Sequence, residues 1–255
     1  MTMRFRSALF FLVLAATAQA DWTIVSSASE PGSGGVVHRH LVLENGARSE
    51  RITVDLAIFS TKSCGLRVLQ NEDGAESLAD VMRHQQCLAG VNGGYFDKKF
   101  APIGLRMANG QMIAPLLRAR LITGVLVASS RGVQIVRSGE FSRRARVTAA
   151  VQCGPFLVDR GEHISGLNDS HLARRTFAAT TKGDRALVGV CSDVSLAELS
   201  TILATTSFAE DLRIERALNL DGGSSTGFWF ARENSSAFSI PEQKPVRDFV
   251  GIVAK

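Results

Sequence analysis

The stretch that most constrains the fold of this chain is residues 218–226, which read Leu-Asn-Leu-Asp-Gly-Gly-Ser-Ser-Thr. On a strand, Asn219 and Asp221 project from one face while the two leucines enter the other. Gly222 and Gly223 can then adopt positive φ and expose successive amides, and such a concavity binds anions. Asp-Gly between apolar runs is also a strong hairpin signal. The stretch therefore predicts a strand that ends in a tight turn, either a plain hairpin or a binding site.

Strands are predicted for most of the remaining chain, and hairpin turns join most of them. Segments rich in β-branched or alternating residues are 36–43, 51–60, 121–128, 147–152, 185–191 and 249–253. Residues 228–230 are expected to be the hairpin partner of the strand that leads into Asp221. Ser77 is a candidate N-cap of one helix, and Ser195 with Glu198 forms a capping box at the start of a second. Without a regular βαβ alternation, this order predicts a single α+β domain with mixed or mainly antiparallel β-sheets and a few flanking helices.

The N-terminus has the pattern of a secretory signal peptide. Arg4 and Arg6 precede an apolar run over residues 8–18, and Ala18-Gln19-Ala20 supplies the small residues that a signal peptidase reads. We expect residues 1–20 to be removed, leaving a domain of residues 21–255 that is exported to the periplasm or secreted. The apolar run is too short to span a membrane, and no later segment reaches that length, so no membrane insertion is expected.

The charge balance is mildly basic, with a formal net charge of +5. Cleavage of the signal peptide would remove two of the positive charges. A modest positive charge suits an anionic substrate or a cell-envelope polymer. The sequence has no basic strip studded with aromatic residues, so no nucleic-acid partner is predicted.

The four cysteines are expected to form disulfides, because export leads to an oxidising compartment. Three pairings are possible. We favour Cys64–Cys87 and Cys153–Cys191, because each pair ends or begins neighbouring predicted strands. No CxxC spacing is present, so no metal site is predicted from the cysteines.

Several familiar catalytic motifs are absent from the sequence. It contains neither the GxxxxGK[ST] nucleotide loop nor the HExxH zinc motif. Ser224 lies in Gly-Gly-Ser-Ser-Thr, which does not fit the GxSxG nucleophile elbow. Polar residues instead gather at two glycine-broken strands, 92–97 and 219–224, and at the strand entry Arg174-Arg175-Thr176.

Taken in order, these motifs resemble the phosphodiester glycosidase family. The resemblance rests on Asn-Gly-Gly-Tyr-Phe-Asp at 92–97, Pro-x-Gly-Leu at 102–105, Gly-Pro-x-Leu-Val at 154–158, Arg175-Thr176, the Ser195 helix start and Asn-Leu-Asp-Gly-Gly-Ser-Ser at 219–225. It is strongest over residues 88–255. It implies an exported glycosidase-type hydrolase that cleaves the glycosidic bond of a sugar-1-phosphodiester and releases free sugar from a phosphorylated glycan.

The resemblance also suggests roles for individual residues. A phosphate leaving group is a weak base, so preorganised donors matter more than a strong general acid. We expect Arg175 to grip the phosphate and a carboxylate, Asp221 first and Asp97 second, to activate water. The expected substrate-binding residues are Asn92, Gly93, His171, Thr176, Asn219, Gly222, Gly223 and Ser224. No cofactor is predicted, although Asp97 with Asn92 could hold a divalent cation.

The chain also departs from the family pattern. Arg174 replaces a Pro that many members carry before Arg-Thr, and Ser224 replaces a third glycine. Cys191-Ser192-Asp193 stands where many members have an Asp-Gly-Arg-like segment. These changes leave an alternative open: a non-catalytic factor of the cell envelope that binds or assembles phosphoglycans or acidic polysaccharides.

Overall fold

The structure is a computed structural model that describes residues 22–142, 146–210 and 212–255, and the predicted signal peptide lies outside these ranges. Within them the chain forms eighteen strands and two α-helices. In the first half these are β1 (Trp22–Pro31), β2 (Val37–Asn45), β3 (Glu50–Ser60), β4 (Cys64–Gln70), α1 (Leu78–His84), β5 (Ala89–Asn92), β6 (Arg106–Ala108), β7 (Gln111–Ala114), β8 (Gly124–Ser129) and β9 (Gly132–Arg137). In the second half they are β10 (Val147–Cys153), β11 (Phe156–Asp159), β12 (Glu162–His163), β13 (Ala173–Thr181), β14 (Arg185–Val194), α2 (Leu196–Thr205), β15 (Ile214–Asn219), β16 (Phe228–Phe230), β17 (Phe238–Ile240) and β18 (Asp248–Ala254).

The described strands assemble into three sheets with antiparallel pairing. The first sheet has the order β1-β2-β3-β14-β13-β15-β11-β12, the second β7-β6-β10-β8-β9, and the third β17-β16-β5-β18-β4. Neighbouring strands such as β13 and β15 are linked in register from Phe177 opposite Asn219 to Thr180 opposite Arg216. The α+β prediction with mainly antiparallel sheets is therefore confirmed.

The three sheets enclose one central core, and a helix covers an outer face on each side. Strand alternation sends Ala178 of β13 into the central core and its neighbour Phe177 towards α2. Leu199 and Ile202 of α2 pack on that outer face of the first sheet. On the opposite side, α1 packs against the third sheet in a cluster that includes Phe249 of β18.

Both helices begin where capping residues predict them to begin. The Ser77 side chain accepts a hydrogen bond from the Asp80 amide at the start of α1. At α2, Ser195 and Glu198 form the complete reciprocal capping box. Among the described residues, no helix is both long enough and apolar enough to cross a membrane.

The hairpin predicted at Asp221 does not form. β15 belongs to the first sheet, whereas β16 pairs with β5 and β17 in the third. The Asp-Gly-Gly segment therefore carries the chain from one sheet to another. The local signal was misleading because the same turn residues suit a hairpin and a connection between two sheets. The two differ only in the strands with which residues 228–230 pair.

The preferred disulfides are also wrong: Cys64, Cys87, Cys153 and Cys191 are all buried free thiols. β18 lies between β4, which begins at Cys64, and β5, which follows Cys87. Two strand spacings amount to about 10 Å, beyond the Cα separation of about 7 Å that a disulfide spans. Cys153 faces the central core, whereas Cys191 faces α2. Burial raises the pKa of Cys87 to about 11 and that of Cys153 to about 12, so these thiols stay protonated.

Candidate active site

The segment after β15 lies where the first and third sheets meet. The Leu220 amide donates to the carbonyl of Thr176 on β13 (2.8 Å), and the Asp221 amide donates to the carbonyl of Gly93 just after β5 (3.1 Å). A Cβ at Gly222 would lie 2.8 Å from the carbonyl oxygen of Arg174. A glycine at 222 thus lets the Asp221 segment approach the backbone of β13 closely.

Asn92 ties this segment to both sheets. Its Nδ2 donates to the Asp221 carbonyl (2.7 Å), while its Oδ1 accepts from Thr176 Oγ1 (2.7 Å) and from the Gly227 amide (3.2 Å). Asn92 and Thr176 are both buried. The structure thus gives these two predicted substrate-binding residues a positioning role: they hold the backbone that carries Asp221.

The adjacent glycines make room for a buried ion pair that the sequence analysis missed. Arg106 Nε donates to Asp248 Oδ2 (2.8 Å), and both side chains are almost wholly buried. A Cβ at Gly93 would lie 1.8 Å from Asp248 Oδ1, and one at Gly94 would lie 2.0 Å from Arg106 Nη2. Asp248 also accepts from the Gly94 amide (3.0 Å), and Arg106 donates to the Tyr95 carbonyl (3.0 Å). The double glycine therefore permits the ion pair to fix the backbone before Tyr95.

Tyr95 and Asn219 form a polar cluster beside the Asp221 segment. Asn219 Nδ2 donates to Tyr95 Oη (2.9 Å), and both side chains donate to the Gly154 carbonyl, at 2.7 Å from Tyr95 and 3.1 Å from Asn219. Burial raises the pKa of Tyr95, so its phenol stays neutral. Asn219 Oδ1 is buried and has no hydrogen-bond partner among the described residues. An acceptor left open in this way is a feature that ligand sites often contain.

The Asp221 carboxyl is half-buried, and its Oδ1 accepts from the Gly222 amide (3.0 Å). Burial raises the pKa of Asp221 above its ordinary value, and the charge of Asp248 acts in the same direction. The Ser225 hydroxyl, Lys244 and the Gly222 amide act in the opposite direction. A carboxyl with a raised pKa in a buried segment is suited to exchange a proton with a substrate or water.

Arg175 supplies a positive charge that no carboxylate neutralises within hydrogen-bonding distance in the described structure. Its Nε donates to the Val194 carbonyl (2.9 Å) and its Nη2 to the His171 carbonyl (2.6 Å). Only 7% of the residue is exposed, and burial lowers the pKa of Arg175. These two bonds use part of a guanidinium that has five N–H donors, so the group can also bind an oxyanion.

Two other predicted residues lie at the periphery. Asp97 is exposed, and its Oδ1 accepts from the amides of Lys99 (2.8 Å) and Ala101 (3.0 Å), which makes it the cap of its own turn. His171 is also exposed, and its main chain is held by Asn168 Oδ1 and by Arg175. The structure therefore does not bring the Asp97 carboxyl into the group formed by Asp221, Asn92 and Tyr95.

A short 3-10 turn, Gly223–Ser225, follows Asp221. Gly223 has a φ of +62°, which favours glycine, and the Ser224 carbonyl accepts from the Gln243 amide (2.8 Å). This bond places residues 243–244 beside the turn. Lys244 Nζ lies 5.4 Å from the ring centroid of Phe96, and its positive charge acts to lower the pKa of Asp221.

Some of the site residues that were not predicted lie beside a recognisable sequence motif, and others do not. Gly93 was predicted as a site residue, and Tyr95 lies next to the double glycine, so Tyr95 could have been included with it. Arg106 directly follows the Pro-x-Gly-Leu motif at 102–105, whereas Asp248 and Lys244 lie in segments with no local motif. Among the described residues, no group of three or more His, Cys, Asp or Glu side chains is arranged to hold a metal ion.

An apolar cleft of about 1120 Å³ adjoins the site at Tyr95 and Gly154. The loop 115–121, the segment 164–168 and the start of α2 surround it. Its apolar lining includes Ile103, Leu117, Leu121, Pro155, Phe156 and Leu196.

Comparisons with known proteins show which proteins this chain is similar to. The profile of the family described as phosphodiester glycosidase matches residues 85–253. The uncharacterized protein YigE of Escherichia coli strain K12 is 34% identical over 91 residues, which are 33% of this chain and 36% of that protein. The chain thus spans well under two thirds of that relative.

Solved structures share the fold at low sequence identity. A hypothetical protein from Synechocystis has a TM-score of 0.61 at 13% identity, covering 90% of this chain and 64% of its own. The catalytic domain of zebrafish N-acetylglucosamine-1-phosphodiester alpha-N-acetylglucosaminidase, auto-inhibited by its pro-peptide, has a TM-score of 0.60 at 13% identity, covering 94% and 85%. A Burkholderia pseudomallei protein described as exported has a TM-score of 0.56 at 12% identity, covering 80% and 74%. Because the family match covers well over half of the sequence, including the Asn92, Arg175 and Asp221 motifs, the chain belongs to the phosphodiester glycosidase family.

Proposed function

We propose that this protein hydrolyses the glycosidic bond of a sugar-1-phosphodiester. The observation that carries the proposal is that the Asp221 carboxyl and the Arg175 guanidinium belong to two segments whose backbones lie in close contact at Gly222. Asp221, a half-buried carboxyl with a raised pKa, directly precedes Gly222, and an ideal Cβ at Gly222 would lie 3.8 Å from the Cα of Arg175. Arg175 in turn has a buried guanidinium whose described hydrogen bonds go to neutral carbonyls. A proton-exchanging group and an oxyanion-binding group are what this reaction requires.

In the proposed reaction, water attacks the anomeric carbon while the bond between that carbon and the phosphate oxygen breaks. The bonding electrons leave with the phosphate oxygen. The water oxygen stays on the sugar, Asp221 takes a proton from that water, and the products are free sugar and a phosphate monoester. Because phosphate is a weakly basic leaving group, its developing charge can be met by donors in place of a strong general acid.

We assign those donors to Arg175 and to the amides of the turn at Gly223 and Ser224. A guanidinium can bind two phosphate oxygens at once, and successive amides in a tight turn form an anion-binding concavity. Lys244 adds a positive charge that acts on the Asp221 carboxyl. Asn219, with its open Oδ1, is the residue we assign to a sugar hydroxyl, and His171 lies at the rim without an assigned step.

The cellular context is part of the proposal. We propose that the protein is exported, on the strength of the pattern in residues 1–20, and that its partner is a carbohydrate phosphodiester. Cell fractionation with an antibody against residues 21–255 would check this. Retention of the uncleaved chain in the cytoplasm would contradict export.

The test of the activity uses a panel of sugar-1-phosphate methyl diesters that differ only in the sugar. Free reducing sugar is measured with the purified protein and with two matched variants, Asp221→Asn and Asp97→Asn. Loss of a proton-transfer group lowers kcat by about 10²–10⁴-fold, and we expect that loss for Asp221→Asn. Asp97→Asn keeps the acceptor oxygen of its turn and should retain most of the activity.

Two outcomes would contradict the assignment. Equal activity of wild type and Asp221→Asn would refute the role of Asp221. Tight binding of the diesters without any released sugar would refute the hydrolase proposal and favour the binding or assembly factor.

A further inference from the structure

The apolar cleft beside Tyr95 suggests what lies on the far side of the phosphate. We propose that the cleft binds a long hydrocarbon chain, alkyl, acyl or isoprenyl, so that the substrate is a lipid-linked sugar phosphodiester. This inference rests on the proposed function and extends it from the sugar side of the phosphodiester to the leaving group.

The first observation is the size and position of the cleft. Its volume of about 1120 Å³ is comparable with sites that enclose a whole small-molecule ligand, about 300–1,000 Å³. It reaches the active site at Tyr95 and Gly154, the two residues that hydrogen-bond Asn219. Tyr95 also lies within electrostatic range of Arg175, so we expect a group attached to a phosphate at Arg175 to extend into the cleft.

The second observation is the chemistry of the lining. A second sugar as leaving group would need several polar groups converging on its hydroxyls. The cleft instead presents mainly aliphatic and aromatic surface. Its cations are Arg120 and Arg137, and Arg137 is occupied by Asp159 (2.6 Å) and by the ring of Phe156 (4.5 Å).

The third observation is the loop at residues 115–121. It exposes Leu116, Leu117 and Leu121 at 38%, 44% and 74%. Such apolar exposure concentrated in one loop marks an interaction site. Arg118 and Arg120 lie among these leucines and are also exposed, so positive charge borders the apolar surface of the loop.

The fourth observation is that hydrogen bonds from the buried Gln152 side chain hold the loop in place. The Oε1 atom of the buried Gln152 accepts a hydrogen bond from the Leu117 amide (2.9 Å). Its Nε2 donates to the carbonyls of Leu117 (2.6 Å) and Ile122 (3.3 Å). A buried side chain that satisfies both ends of the loop keeps the leucines at the cleft mouth. Gln152 is a positioning residue for this surface.

The test compares two diesters of the same sugar-1-phosphate, one with a methyl and one with a decyl leaving group, below the micelle concentration. We expect the decyl diester to have a kcat/KM about tenfold higher or more, through a lower KM, because each methylene buried in an apolar pocket adds affinity. Leu121→Asp should reduce the decyl-to-methyl ratio by about tenfold, whereas Leu121→Met should retain the wild-type ratio. Val25→Asp, at an exposed apolar position on β1 (50% exposed), is the control and should keep the wild-type ratio.

A binding measurement separates this inference from the proposed function. Calorimetric titration with decyl phosphate should show binding to the wild type and weaker binding to Leu121→Asp. Hydrolysis of both diesters with equal kcat/KM would overturn the cleft assignment and leave the hydrolase proposal intact. If neither diester is hydrolysed, the hydrolase proposal fails, and decyl phosphate binding alone decides on the cleft. Retention on phosphatidylglycerol vesicles with no preference for the decyl chain in solution would overturn the assignment in favour of a membrane-contact loop.

Discussion

Asn92 offers a sharp test of how the Asp221 segment is held. Its buried side chain makes three hydrogen bonds: it donates to the Asp221 carbonyl and accepts from the Thr176 hydroxyl and the Gly227 amide. Asn92→Ala removes all three at once. Thr176→Val removes one of them and keeps the bond between Asn92 and the Gly227 amide.

The expected magnitudes follow from these contacts. Each buried polar group that loses its partner costs about 1–3 kcal/mol. Three such groups remain in Asn92→Ala, so its free energy of unfolding should fall by about 3 kcal/mol or more. Thr176→Val should cost about 1 kcal/mol in the wild type. In the Asn92→Ala background the Thr176 hydroxyl already lacks this partner, so the same change should cost nothing or stabilise the protein.

Urea unfolding of the wild type, both single variants and the double variant completes the cycle. We expect a coupling energy of about 1 kcal/mol or more between Asn92 and Thr176, because the two side chains share one hydrogen bond. If Thr176→Val costs the same in both backgrounds, to within about 0.3 kcal/mol, the anchoring role derived from the structure is refuted.

Two further predictions concern charge. Arg106→Met leaves Asp248 buried without its guanidinium and should lower the free energy of unfolding by about 3–5 kcal/mol, and a loss below 1 kcal/mol in urea unfolding would contradict the buried pair. Asp221→Asn should raise stability at pH 7: burial raises the native pKa above the ordinary 3.8, so the stability contributed by the protonated carboxyl is complete below 3.8 and is lost as the pH rises through the native pKa. The thermal unfolding midpoint of this variant should exceed that of the wild type at pH 7 and approach it at pH 3, and a variant that is less stable at pH 7 would show that the Asp221 carboxylate is stabilised in the fold.

Features determined within a few residues could be predicted from the sequence. The caps at Ser77 and Ser195 depend on residues three positions away, and both helices begin as expected. The order of the motifs likewise identified the family without any contact being known.

Placement of the motifs relative to one another could not be predicted in the same way. The residues 219–226 read as a hairpin because the turn chemistry is local, yet their strands pair in different sheets. The disulfide pairing failed for the same reason: β18, from the end of the chain, lies between the strands beside Cys64 and Cys87. Strand order depends on which distant segments bury the most apolar surface together, and no local pattern encodes it.

The sequence by itself determined many of the strands, the helix starts and the polar residues available for chemistry. The tertiary structure decided what those residues do. Asn92 holds a carbonyl 129 positions away, and Arg106 pairs with a carboxylate 142 positions away. Because a side chain's role depends on the partners that folding brings to it, only the assembled sheets distinguish the anchors Asn92 and Thr176 from the carboxyl of Asp221 that they position.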